Sequence, residues 1–151
     1  MIHDGLGSNI IYFKMEDPRA KMPTKATENS AGLDLYAIEY MCISSKETVF
    51  VPLGFSMSIP EGQFAMVCSR SGMALTSGVF VLNSPGIIDS DYRGEIGVIL
   101  HNSSDKEFEI QSGKRVAQMV ILPYNSKSFL VMTDELPNTE RGRGGFGSTG
   151  S

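Results

Sequence analysis

Five short segments of the chain carry polar and charged groups in patterns that a hydrophobic core would not use. Ser69-Arg70-Ser71-Gly72 sets a guanidinium between two hydroxyls, followed by a glycine, where a strand-like run meets a short helical one. Hydroxyls, a fork of guanidinium donors and free backbone N–H groups at a helix start make an anion site. The competing reading is a plain N-cap, with Ser69 or Ser71 capping the helix and Arg70 solvated. The segment from Asn83 to Gly94 holds Asp89 and Asp91 two residues apart, with Tyr92 beside them. In an extended conformation both carboxylates face one side, and a turn breaks that parity. It reads either as an ordinary hairpin loop, whose Asp and Gly satisfy turn geometry, or as a catalytic loop. In the second reading Ile87-Ile88 buries the surroundings of Asp89, which serves as a general base.

Gln118 lies in Gly113-Lys114-Arg115-Val116-Ala117-Gln118, inside an otherwise apolar strand. A buried amide there must bond either backbone or a ligand. Asp34 follows Gly32 in a short strand, where a lone carboxylate reads first as a structural ion-pair partner. From Arg141 onward five of the last eleven residues are glycine. Such a tail builds no core, so it is disordered or folds onto something. It offers Arg141, Ser148 and Thr149 as anion contacts and Phe146 as a stacking surface. The P-loop lysine pattern is missing. Two Arg/Ser/Gly anion sites, a loop carboxylate, an aromatic platform and a Gly-rich tail together suit a nucleoside polyphosphate.

The elements that must hold these groups are nearly all strands. Phe55, Met57 and Ile59 alternate with Ser56 and Ser58; Ile96, Val98 and Leu100 share one face; Leu33, Leu35 and Ala37 oppose Asp34 and Tyr36. Val116–Leu122 is apolar on both parities and is expected to be covered on both faces. Shorter candidates are 10–14, 48–51, 64–68, 79–82 and 129–133, and the one helix candidate is 71–76. Turns recur at Pro52, Pro60-Glu61-Gly62, Asn83 to Gly86, Asn102 to Asp105, Ser112-Gly113 and Pro123, which indicates a β-sandwich or barrel. The 151 residues form one domain, and 13 basic minus 17 acidic residues leave a net charge of −4. That balance disfavours a sequence-independent nucleic-acid partner. No apolar run reaches the ~18 residues of a membrane span, and a cytoplasmic, intracellular location is expected. Two histidines and two isolated cysteines, Cys42 and Cys68, give neither a triad nor a zinc site. The cysteines read as small buried hydrophobes, and any metal is expected to be a hard cation held by oxygen.

Taken in order, Ala31-Gly32-Leu33-Asp34-Leu35, Ser69-Arg70-Ser71-Gly72, Asn83 to Gly94, Gly113 to Gln118 and Arg141 to Gly150 closely resemble the five motifs of the trimeric dUTP pyrophosphatases (dUTPases). The resemblance runs from about residue 21 to the C-terminus. It implies an all-β jelly-roll-like barrel over 1–140, and a mobile C-terminal arm over 141–151 that closes over an active site. It also implies a homotrimer with shared active sites that hydrolyses dUTP to dUMP and pyrophosphate, limiting uracil in DNA and supplying dUMP for dTMP synthesis. By the same resemblance Asp89 is the base that activates water for attack on the α-phosphorus, with Gln118 also in the catalytic set. Asn83, Gly86 and Ile88 hold uracil, and Tyr92 packs beneath the deoxyribose. Arg70, Ser71 and Gly72 hold the phosphates, while Arg141, Gly147, Ser148 and Thr149 clamp them from another subunit and Phe146 covers the base. Mg²⁺ is implied as cofactor, held by triphosphate oxygens and water, with Asp34 supporting and no direct protein ligand.

Ser69 departs from the family, many members of which carry proline there, and the first twenty residues have no family reading. The dCTP deaminases share the fold and part of the third motif, but they carry a Trp near Tyr92 and a glutamate deep in the following strand. The chain contains no Trp, and its strand reads Gly94-Glu95-Ile96-Gly97-Val98-Ile99-Leu100-His101. A nucleotide-gated regulatory role toward a protein partner is compatible with the motifs, but no large insertion between them supports it.

Overall fold

The computed structural model describes residues 10–144. Eleven strands and one helix follow one another along this part of the chain: β1 Tyr12–Met15, β2 Thr24–Lys25, β3 Leu33–Tyr36, β4 Met41–Ile43, β5 Thr48–Ser58, β6 Gln63–Cys68, α1 Ser71–Ser77, β7 Val79–Val81, β8 Gly86–Ile88, β9 Ile96–Asn102, β10 Phe108–Ile110 and β11 Arg115–Pro123. They pair antiparallel in two larger sheets, ordered β1-β5-β9-β7 and β2-β3-β11-β6-β8, with β4 and β10 forming a separate ribbon. The neighbours in each sheet are mostly non-consecutive in sequence, as in a jelly roll. Leu35, Leu53, Phe55, Leu100, Val116 and Met119 are among the buried side chains between the sheets.

Period-two patterning identifies most strands, and three differences have clear physical causes. Pro52 reads as a turn, yet Thr48–Ser58 is one strand that crosses it on a bulge, where the register against β9 slips between Pro52 and Phe55. A bulge is where a strand tolerates a residue lacking an N–H. Gly54, at φ +72°, completes the bulge and accepts N–H bonds from Glu16 and Asp17 at 2.9 Å each. The loop reading of Gly86–Ile88 is also revised, because these residues pair with Val67, Met66 and Ala65 of β6. Three residues are too few to display alternation. Conversely, 129–133 forms no strand: Phe129, Leu130, Val131 and Met132 are all exposed, and an apolar run without a ladder partner stays unpaired.

β11 is covered on both parities, with Val116, Ala117 and Met119 buried and Gln118, Val120 and Leu122 half-buried. Cys42 and Cys68 are free thiols and half-buried rather than fully so. Burial first, then the neighbouring carboxylates of Glu107, Glu109 and Glu47, push the Cys42 thiol up to about 11, which makes it unreactive at neutral pH. Among the described residues no helix is long and apolar enough to cross a membrane.

Candidate active site

β6 is the central element of the site, with β11 on one side and β8 on the other. Where β6 ends, Arg70 is still extended (φ −89°, ψ 124°) and serves as the residue before α1, whose first residue is Ser71. Neither serine caps the helix through its side chain. The hydroxyl of Ser69 instead accepts the N–H of Val81 at 2.9 Å. The plain N-cap reading is thereby removed, and Ser71 and Gly72 stand exposed at the helix start.

The Arg70 side chain is not solvated either. Its Nε donates to Asp34 Oδ1 at 3.1 Å, while Arg115 Nη1 donates to Asp34 Oδ2 at 3.2 Å. One carboxylate, only 13% exposed at its side chain, thus holds two guanidinium groups. Asp34, Gln118 and Cys68 form a directly paired row across β3, β11 and β6, so their side chains leave the sheet on one side. Arg115 joins that side through a register shift between Arg115 and Ala117. A bulge re-aims a side chain that strict alternation would send to the other face. Gln118 Nε2 donates to the carbonyl of Ser69 at 3.0 Å. Its Oε1 faces Gly32, where an added Cβ would lie only 2.6 Å away. These groups line a cleft of about 370 Å³ that also includes Ser30, Ser71 and Gly72.

A second cleft, of about 270 Å³, lies beyond β8 and is lined by Phe50, Ile87, Ile88, Asp89, Tyr92 and Glu95, among others. Asp89 follows β8 and starts a turn closed by the Tyr92 N–H on the Asp89 carbonyl at 3.2 Å, so the strand parity of Asp89 and Asp91 is lost. The expectation that Ile87 buries this neighbourhood does not hold in one chain. Asp89 is exposed and Ile87 is 55% exposed. The Tyr92 ring lies over Gly94, where any Cβ would collide with it, and its hydroxyl donates to the Glu95 carbonyl at 3.2 Å. Asn83 and Gly86 occupy the opposite end of β8, close enough that a Cβ on Gly86 would meet Asn83 Nδ2 at 3.3 Å.

The two clefts are well separated within the chain. Ile88 pairs with Ala65, five residues before Arg70, or about 16 Å of strand at ~3.3 Å per residue. Arg141 is exposed, its Nε donating to the Gly144 carbonyl at 2.9 Å. Phe146, Gly147, Ser148 and Thr149 lie outside the described residues.

This arrangement matches known proteins along its length. The dUTPase family model matches residues 18–150. The chain belongs to the dUTPase family. The deoxyuridine 5'-triphosphate nucleotidohydrolase of Hydrogenobaculum is 52% identical over 132 residues, covering 87% of this chain and 91% of its own. That of Clostridium tetani is 45% identical over 140 residues, covering 93% and 96%. Among solved structures, the Staphylococcus bacteriophage 80alpha dUTPase with dUpNHpp is similar with a TM-score of 0.87 at 26% identity, covering 95% of this chain and 99% of that one.

Of the dUTPase motif residues, Asp34, Arg70, Ser71, Gly72 and Gln118 come together in the first cleft, whereas Ile88, Asp89 and Tyr92 gather in the second. Three contributors escape a reading by residue type. Arg115 is masked by its strand parity, Gly32 has no side chain to notice, and Ser69 looks like a cap. The described residues contain no group of three or more His, Cys, Asp or Glu side chains able to hold an ion, and both Asp34 oxygens are taken by arginines. This donor set suits a hard cation that arrives with oxygens of its own.

Proposed function

We propose that this chain, as a dUTPase a deoxyuridine 5'-triphosphate nucleotidohydrolase, splits dUTP into dUMP and pyrophosphate by attack of an Asp89-activated water on the α-phosphorus. The attacking oxygen bonds to the α-phosphorus, its proton passes to the Asp89 carboxylate, and the bond to the bridging oxygen breaks so that pyrophosphate leaves. Arg70, Ser71, Gly72 and Gln118 hold the phosphates and the water. Asn83, Gly86 and Ile88 recognise uracil, and Tyr92 packs beneath the deoxyribose. Residues 141–151 act as the closing arm on the barrel of 1–140: Arg141, Gly147, Ser148 and Thr149 on the phosphates, Phe146 over the base. Mg²⁺ bound by the triphosphate supplies charge neutralisation, with Asp34 acting through water or through the arginines it orients. The reaction limits uracil in DNA and supplies dUMP for dTMP synthesis.

The observation that carries this reading is the Asp34 carboxylate gripping Arg70 and Arg115 beside the oriented amide of Gln118. Phosphoryl transfer depends mostly on positioning and fixed countercharge, and cations already held in place need no reorganisation when charge develops. The separation of Asp89 from Arg70 supports a homotrimer in which each site combines one subunit's first cleft with another's second, the exposed Phe50, Ile87 and Tyr92 being available for cover.

Pyrophosphate release from dUTP, dTTP, dCTP and UTP tests the reaction, with Mg²⁺ and after chelation. Release from dUTP alone is expected, and Asp89→Asn should lower kcat by about 10²–10⁴ while binding persists, the range for loss of a general base. Mixing inactive Asp89→Asn subunits with inactive Arg70→Ala subunits should then restore part of the activity. No restoration in verified mixed trimers would mean that both residues serve the same site from one chain.

A further inference from the structure

We propose that Ser69 is a positioning residue that sets which way the Gln118 amide faces, and so keeps the Gln118 oxygen available to hold the attacking water. The inference rests on the reading of the first cleft given under Proposed function, and it deepens that reading.

All three polar groups of Ser69 are engaged, each with a different element. Its N–H reaches the hydroxyl oxygen of Ser84 in the loop before β8, at 3.4 Å. Its own hydroxyl accepts the N–H of Val81 in β7, at 2.9 Å. Its carbonyl accepts Gln118 Nε2 from β11, at 3.0 Å. Ser69 lies just past the last ladder residue of β6, where no strand pairing holds the peptide plane. The hydroxyl bond to Val81 takes over that duty. Val81 is buried, and its N–H has a short, direct partner here.

The consequence for Gln118 follows from donor chemistry. A carbonyl only accepts, so the amide must present nitrogen to Ser69 and oxygen to the other side, irrespective of how similar the two ends are in size. That oxygen faces Gly32, whose missing Cβ leaves room for it. An amide oxygen accepts hydrogen bonds and cannot donate one to an anionic phosphate, which leaves that role to the second N–H of Nε2. The oxygen can accept one hydrogen of a water, and this orients the water's lone pair for attack. With the Ser69 peptide unfixed, the amide is free to turn and offer its NH₂ to phosphate. That pose still gives the phosphate an N–H donor but misplaces the nucleophile.

The signature is therefore a loss of kcat at nearly constant KM. Ser69→Ala is expected to lower kcat for dUTP about tenfold with KM changed less than about twofold. Ser69→Thr, which keeps the hydroxyl acceptor, should restore kcat. The deciding measurement is the double-mutant cycle with Gln118→Leu. Ser69→Ala should lower kcat little further in that background, because both act through one amide oxygen. Thermal melts run beside the kinetics keep every comparison among folded proteins. Equal effects of Ser69→Ala in both backgrounds, or a loss lying in KM, would overturn the proposal. If Gln118→Leu itself left kcat intact, the reading of the site would fail instead, and the two failures are told apart.

Discussion

On one side of β6, a nearly buried carboxylate grips two arginines and an amide is pinned by a backbone carbonyl before any substrate arrives. On the other side, Asp89 stands exposed after β8, and among the described residues its carboxylate has no hydrogen-bond or ion-pair partner. The contrast follows the physics of the two proposed tasks. Cations that must meet a polyanion repel one another, so they need a buried anion between them to stay aimed. A general base needs only access to one proton and a dry neighbourhood, and substrate or a second subunit can provide the latter on arrival. Under the proposed mechanism, the first half of the site is thus built within the chain, and the second is left to be completed.

Among the variants that leave the proposed base in place, removing the hub of the prebuilt half should have the largest effect. Asp34→Ala frees both arginines and lets them repel. At ~1.5 kcal/mol for each charge-assisted bond, the low end because both guanidiniums remain partly solvated, kcat/KM should fall on the order of 100-fold. Arg115→Gln, which leaves Arg70 paired to Asp34, should cost about tenfold by the same reckoning. A loss below about threefold for Asp34→Ala would mean that the arginines are aimed by substrate, and the two halves would then be alike. Gly32→Ala is next. Its new Cβ, 2.6 Å from Gln118 Oε1, must displace the amide, costing ~1–3 kcal/mol of stability, as overpacking does. The kcat loss should exceed any change in KM. Thermal melts and steady-state kinetics read both.

The same contrast explains what the sequence revealed. The cleft residues announce themselves because Arg70, Ser71 and Gln118 are out of place beside strands, and the alternation around Leu35, Val98 and Met119 is clean. What stayed hidden depends on geometry that a one-dimensional pattern does not hold. Arg115 reaches Asp34 only through a bulge, and β5 continues through Pro52 only by another. Asn102 reads as turn punctuation, yet it is fully buried and its Nδ2 donates to the carbonyls of Ile43, Ser44 and Lys106 at 3.0, 3.1 and 2.7 Å. It staples the end of β9 to the end of β4, a role set by a contact 59 residues away in the chain. The burial expected around Asp89 failed for a related reason. Ile87-Ile88 read as cover for a neighbour in the same chain, whereas strand β8 turns Ile87 outward.

Tyr92→Phe should give the smallest effect, and it tests the open half most directly. The Tyr92 hydroxyl makes one bond, to the Glu95 carbonyl at 3.2 Å, in an exposed setting where water replaces it readily. The net value of such a bond is at the low end of ~0.5–1.5 kcal/mol. The ring lies across Gly94, and its shape is unchanged in phenylalanine. Activity on dUTP should therefore drop less than about threefold, a change of under ~0.7 kcal/mol. Tyr92→Ala removes the ring itself and should raise the relative rate on UTP, as expected if the ring is what excludes a ribose. A tenfold loss in the phenylalanine variant, with UTP still rejected, would show that a single internal bond sets the loop before substrate binds. The Asp89 half would then be as preorganised as the Arg70 half, and the asymmetry between the two sides of β6 would not survive.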